Sequence, residues 1–475
     1  MIFTSIIYFL FLAGTVAVFY LLPSKYRNYF LILVSAVFYM YVKVAYLFIL
    51  IGLIISNYFI AIRLGNETQP EIRRRYLYLS LFLNIGVLVF FKYLNFLIDN
   101  LLGISHLLGF EKHSFVLDIV LPLGLSYYTF QTIGYILDIY RGAQKAEKNI
   151  FRFSLFILFF PKLLVGPIER AKHFLPQLAR NISFNSENLT EGGKRIAWGL
   201  FKKLVVADRI SLYQAVIDAD PRQQAGLTVL VVSILYTFQV YADFSGYSDI
   251  AIGSARLFGY NLMENFNRPL LAKNLSDFWR RWHISLSSWV NDYIFTPVLL
   301  QKRKWGNWGV LNALLISFIV IGIWHGATWN YVLFGVLQAI VLFYETVTKN
   351  IRNTLSKKIP AGIYNSASII LTFIFVTFSL IIFRSPDFDK ALTILKVIFQ
   401  NPGVLFFDRP STIIFILIGC LIMISIDLQK EFRIFRLPAA VNNNWVVQNI
   451  SYALLLVYIL VAAVFDGGQF IYFAF

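Results

Sequence analysis

The sequence predicts an all-α polytopic membrane protein, with about 11 transmembrane helices and short re-entrant or tilted helices in its middle third. Three observations lead there. First, hydrophobic residues make up 58% of the 475 positions and charged residues only 14%, with a mean hydropathy of +0.67; soluble domains carry about 25% charge. Second, apolar runs near the roughly 20 residues that cross a bilayer recur from end to end. Third, between about 150 and 300 those runs are broken by Pro, Gly and charge, as in "FPKLLVGPIERAKHFLPQL" and "YADFSGYSDIAIGSARLFG". Polar or irregular backbone at membrane depth is tolerated only where protein buries it or water reaches it. The chain therefore reads as one integral-membrane domain over 1–475, with a central polar block at about 150–300 and no fixed-period repeat.

Taken in order, the first apolar run, about 3–22, has no basic residue before it, while Lys25 and Arg27 follow it. A cleavable signal peptide shows the opposite charge order, so an uncleaved span with its N-terminus outside is expected. Spans at about 29–42 and 45–63 lead to a loop with Arg63, Arg73, Arg74 and Arg75, placed in the cytoplasm by its charge. A span at about 77–98 returns outward, and 99–117, with His106 and His113, reads as interfacial. The stretch 121–142 runs inward to Arg141, Lys145, Lys148 and Arg152. After the central block, spans are expected at about 309–325, 329–346, 366–384, 411–427 and 447–465. The formal charge of +17 follows from basic cytoplasmic loops; no RNP-like or zinc-finger pattern points to nucleic acid. Cys420 is the single cysteine, which excludes an internal disulfide and a Cys-rich metal framework. No metal site is expected.

Ionisable residues within apolar sequence are costly and mark function. Of the five histidines, His106 and His113 have no partner pattern and His173 sits in a basic loop; all three read as ordinary. His325, in "IGIWHGATWNYV", lies within an apolar run between Trp324 and Trp329. His283 lies in "DFWRRWHISLSSW", where Asp277 and Arg281 are spaced to pair on one helical face, with Arg280 and His283 on a neighbouring stripe. An interfacial belt accounts for the tryptophans and arginines there but not for the histidine. The would-be span 227–258 holds Gln239, Asp243 and Asp249; Asp249 could pair with Arg256, whereas Asp243 has no local partner. There is no G-x-S-x-G elbow, no zinc-binding His pair and no phosphate loop. An intramembrane histidine suits general-base catalysis or proton relay, leaving acyl transfer and proton-coupled transport or lipid flipping through His325, His283 and Asp243.

Several longer tracts of the sequence resemble those of a known family. The tracts "LPLGLSYYTFQTIGYILDIYRG" (121–142), "FPKLLVGPIERAKHFLPQL" (160–178), the block 241–295, "IGIWHGATWNYVLFG" (321–335) and the tail "FIYFAF" resemble the membrane-bound O-acyltransferases, in their bacterial alginate O-acetyltransferase branch. The resemblance implies about 11 spans around a thinned centre that forms a funnel to a catalytic histidine. It puts that histidine at His325, in the helices over 309–346, and a second one at His283. It also implies transfer of an acyl group, usually acetyl, from acetyl-CoA or an acyl-carrier protein, with no bound cofactor. The acyl group would cross a bacterial inner membrane, and a separate periplasmic or extracellular acyltransferase would complete transfer to a polysaccharide. Asp243, Arg280, Arg281, Trp324 and Asn330 are the expected acceptor-positioning residues. Two departures stand out: Pro297 leads into "VLLQKRKWGNWG" where a Leu-Gly-Gly turn is common, and Gln338-Ala339 replaces a further His-Gly. Intact His283 and His325 argue against a third possibility, a catalytically dead scaffold for a secreted transferase.

Overall fold

The computed structural model describes residues 2–41, 43–109, 117, 119–218, 220–406, 410–433 and 445–465. His113 and the tail "FIYFAF" lie outside them. Among the described residues the chain is helical, and eight helices are long and apolar enough to cross a membrane. That falls short of the expected count because three of the expected spans lie in shorter helices, of which Ile6–Leu21 is apolar. Ile6–Leu21 has 16 residues, Ser24–Met40 has 17 and opens with Lys25 and Arg27, and Leu125–Tyr140 has 16.

Two segments differ in extent from their expected form. The span at 77–98 and the start of the interfacial segment merge into one helical run, Pro70–Leu107, passing through a π-helical turn at Val89–Tyr93. Within the central block, Gly226–Leu257 is a single helix of 32 residues rather than a broken one. Its aspartates do not interrupt it because lysines from elsewhere in the chain neutralise them, as described below.

The described residues form two compact units: Met1–Gly193 with Ala251–Met263, and Lys194–Ile250 with Glu264–Phe475. In the first, helices are joined by polar contacts that hydrocarbon cannot replace. Ser80 Oγ donates to Asn57 Oδ1 at 2.6 Å, Asn84 Nδ2 to the same oxygen at 2.8 Å, and Tyr8 Oη to Ser254 Oγ at 2.8 Å. Such interhelical bonds contribute about 0.6 kcal/mol each on average in membranes. Phe38, Phe160 and Phe258 pack beside them, with ring centroids 5.5 and 5.9 Å apart.

The second unit is organised around a helical hairpin, Asn307–His325 and Trp329–Val347. Small residues let these helices meet backbone to backbone. A Cβ on Gly322 would collide with the Tyr331 carbonyl, and one on Gly335 with the Phe318 carbonyl. His325 is the last residue of the first helix, which ends as Gly326 turns extended. A Cβ on Gly326 would overlap the Tyr331 ring, so a larger residue at this turn would push that ring off its seat.

Candidate active site

His325 is 4% exposed and lies among aromatic rings: Trp324 at 4.9 Å, Phe383 at 5.0 Å and Tyr331 at 6.4 Å between centroids. It faces a narrow cavity of about 20 Å³ whose lining includes Trp279, Trp282, Thr237, Ser379 and Gln338. That volume holds about one water-sized group. Trp279 also lines a second, more open cavity of about 450 Å³, together with Arg280, Ser287, Ser288, Asn291 and Ser317. Trp279 is held from both sides: its indole Nε1 donates to Gln338 Oε1 at 3.2 Å, and Phe318 meets it edge-on at 5.1 Å. Gln338, noted in the sequence only as a departure from the family pattern, thus touches the tryptophan common to both cavities.

His283 is fully buried and does not continue the helix before it. Leu275–Arg281 ends, His283 takes a left-handed backbone (φ 43°), and Ile284–Val290 begins. A stripe shared with Arg280 is therefore not formed. A non-glycine residue in this region costs roughly 1–2 kcal/mol, and buried Asn265 holds the conformation. The Asn265 carbonyl accepts the Ile284 N–H at 2.9 Å, while its Oδ1 accepts the Ser285 N–H at 3.2 Å and the Ser285 hydroxyl at 2.7 Å. On the other side of the turn, the Asn267 N–H donates to the Arg281 carbonyl at 2.9 Å. The turned-out ring lies 4.7 Å from Phe244 and 5.5 Å from Trp324. A neutral imidazole here carries one N–H donor and one acceptor nitrogen.

Trp324 thus lies in ring contact with both histidines. The other expected residues are placed differently. Arg280 is exposed and lines the larger cavity. Arg281 pairs with Asp277 at 3.0 Å, as its spacing predicts, and also grips Glu431 through both terminal nitrogens at 2.9 and 3.0 Å. Asn330 donates to the Ser385 carbonyl at 2.8 Å, tying the second hairpin helix to the end of Ala361–Arg384. Asp243 has a partner remote in sequence: Lys203 Nζ lies 2.7 Å from Asp243 Oδ1 and 2.7 Å from Asp208 Oδ1.

The expected Asp249–Arg256 pair is not formed. Asp249 is bound by Arg195 Nε at 2.6 Å and by Lys202, whose Nζ also donates to Ser245 Oγ at 2.9 Å; Arg256 bonds Asn261 instead. Lys202 and Lys203 lie in a π-helical turn, Phe201–Ala207, a widening frequent at functional sites. Sequence reasoning missed these lysines and Asn265. The available clue was two adjacent lysines inside the apolar stretch "LFKKLVVA"; nothing in the sequence marks Asn265. His173, read as ordinary, bonds Glu169 through Nδ1 at 2.8 Å, and that bond raises its pKa.

Asn265 should matter through the position of His283. Asn265→Leu is expected to lower kcat by roughly 10-fold or more, since a shift of 1 Å in a supporting residue can cost about 100-fold. Asn265→Asp keeps the accepting oxygen and should recover part of the rate. Steady-state kinetics with separate KM and kcat check this; equal rates in all three proteins would remove Asn265 from the site.

Comparison with known proteins identifies the framework that carries this geometry. The family model of the membrane-bound O-acyltransferases matches residues 147–385, which include both histidines. The chain is 33% identical over 403 residues to the probable alginate O-acetylase AlgI of Pseudomonas aeruginosa, covering 84% of this chain and 75% of that protein. It is 32% identical to the peptidoglycan O-acetyltransferase of Helicobacter pylori, covering 79% and 74% of the two chains. The teichoic acid D-alanyltransferase of Bacillus subtilis is 31% identical over 56% of this chain and 69% of its own length. The protein is a multi-pass membrane acyltransferase and belongs to the membrane-bound O-acyltransferase family.

Proposed function

We propose that the protein takes an acyl group, acetyl by preference, from a cytoplasmic thioester (acetyl-CoA or an acyl-carrier protein) and passes it across a bacterial inner membrane for O-acylation of a cell-surface or exported polysaccharide. A separate periplasmic or extracellular acyltransferase completes delivery to the polymer. The relatives named for alginate, peptidoglycan and teichoic acid support a glycan-type final acceptor. The observation that carries the reading is the pairing of His325 and His283 through Trp324 beside a confined cavity.

In this reading His325 takes the proton of an acceptor hydroxyl as its oxygen attacks the thioester carbonyl carbon. The tetrahedral oxyanion collapses, the C–S bond breaks, and the thiolate leaves with the proton returned by the imidazolium. His283, held by the Asn265 turn, donates a hydrogen bond to the developing oxyanion or orients the acceptor. Arg280, Ser287 and Ser288 give the larger cavity the few polar groups needed to orient an otherwise apolar-bound substrate.

The test uses purified protein in sealed vesicles with acetyl-labelled CoA on one side, with and without a pH gradient. Thiol release and label crossing the membrane are read separately. Donor-dependent thiol release that needs no gradient is expected. Absence of release would discard CoA as the donor and leave the acyl-carrier protein, and release only under a gradient would tie the transfer to proton movement.

A further inference from the structure

We propose that a polar cavity in the first unit is a binding site for a phosphate group. The cavity, about 170 Å³, is lined by Lys25, Arg27, Arg152 and Arg180, with Asn149 and Asn181 between them. No Asp or Glu is among its described lining residues. Basic loops alone satisfy the positive-inside rule and do not require convergence. Here the four cations come from three separate segments: the opening of Ser24–Met40, the helix Ile150–Leu158 and the chain just after Ala171–Leu178. Gathering like charges around one hollow is unfavourable unless an anion answers them.

The cations differ in what holds them. The Arg27 guanidinium is fixed in place. It donates from Nε to the Leu22 carbonyl at 3.0 Å, from a terminal nitrogen to the Tyr20 carbonyl at 3.3 Å, and to the Ile182 carbonyl. It also stacks over Phe19 and Tyr20 at 5.0 and 5.5 Å. Carbonyls orient this charge without cancelling it. Among the described residues, Arg152 and Arg180 have no carboxylate partner. Two free guanidinium forks beside one fixed charge suit phosphate oxygens, which accept paired N–H donors. The start of the 17-residue Ser24–Met40 helix at the rim adds the positive end of its dipole. The phosphate could be the diester of an anionic phospholipid or belong to a soluble nucleotide-type molecule such as CoA. The site itself does not depend on the acyl-transfer reading.

The experiment compares the full-length protein with Arg152→Gln/Arg180→Gln, Arg152→Lys/Arg180→Lys and a distant-loop control, Arg63→Gln/Arg75→Gln. Each is titrated with phosphatidylglycerol in phosphatidylcholine nanodiscs and, in neutral detergent, with CoA and inorganic pyrophosphate. Melting shifts and retained lipid by native mass spectrometry are the readouts. The wild type should bind at least one probe, and the Gln pair should weaken that binding roughly 10-fold or more, with the Lys pair between them and the loop control unchanged. Binding of phosphatidylglycerol alone identifies a lipid site, and binding of the soluble probes identifies a soluble phosphate. If the Gln pair does not fold, the Lys pair decides, because it keeps the charge and loses the fork. Equal binding in wild type and the decisive pair, an equal loss in the loop control, or no binding of any probe overturns the proposal.

Discussion

His325→Ala is expected to lower donor-dependent acyl transfer by about 10²–10⁴-fold, the usual range for loss of a general base, while leaving KM for the donor nearly unchanged. The loss should fall on kcat because a proton acceptor acts in the transition state rather than in donor binding. His325→Gln keeps much of the ring's volume and its polar tip but cannot serve as the base, so it should be as slow as the alanine variant. A fast glutamine variant would remove general-base chemistry from this residue. Packing is the competing explanation, since the ring contacts Trp324, Phe383 and Tyr331. Melting temperatures measured beside the kinetics separate the two. His283 needs a different pair of variants because its backbone is left-handed. Alanine there adds backbone cost to loss of the ring, whereas asparagine tolerates the conformation. The rate of His283→Asn therefore reports the imidazole itself.

The second large effect should be on stability. Lys203→Met is expected to destabilise the protein by about 3–5 kcal/mol, because removing one partner of a buried ion pair leaves uncompensated charge. Here two carboxylates, Asp243 and Asp208, share that one ammonium, and all three side chains are nearly inaccessible. Removing all the charges together has a different sign. In Lys203→Met/Asp208→Asn/Asp243→Asn no charge is stranded, and replacing whole buried ion clusters with neutral groups is often neutral or stabilising. Thermal melting in detergent should show a large drop for the single variant and recovery in the triple one. An unchanged single variant, or a triple variant no better than it, would mean that the cluster is hydrated and energetically minor.

The long apolar spans were legible in the sequence because they depend on local composition, and the same local composition singled out His283 and His325 as candidates. A histidine inside an apolar run and a basic loop beside it announce themselves within a few residues. So did the Asp277–Arg281 pair, set by helical spacing alone. What was not legible depends on partners distant in the chain. Asp243 and Asp249 read as breaks in a span because Lys203 and Lys202, which make them tolerable, lie on another segment. The break at His283 was hidden because helical spacing across 277–283 looks continuous, while the turn is imposed by Asn265. Arg281 was expected at the acceptor, yet its second carboxylate, Glu431, lies 150 residues away. Local pattern fixes which segments are helices; long-range pairing decides which polar residues remain available for chemistry.

The lysine–aspartate pairing also has a consequence for how the chain enters the membrane. Lys202 and Lys203 leave the ribosome before the helix Gly226–Leu257 that carries their aspartates. An isolated aspartate at the centre of a span costs about 2.5–3.5 kcal/mol on insertion scales. The helix Gly226–Leu257 therefore enters an apolar environment more favourably once Lys202 and Lys203 are beside it to answer Asp249 and Asp243. Insertion of that helix is then coupled to the earlier segment, and a translational pause between them would lengthen the time during which Lys202 stands without Asp249, whereas Lys203 already has Asp208 on its own segment.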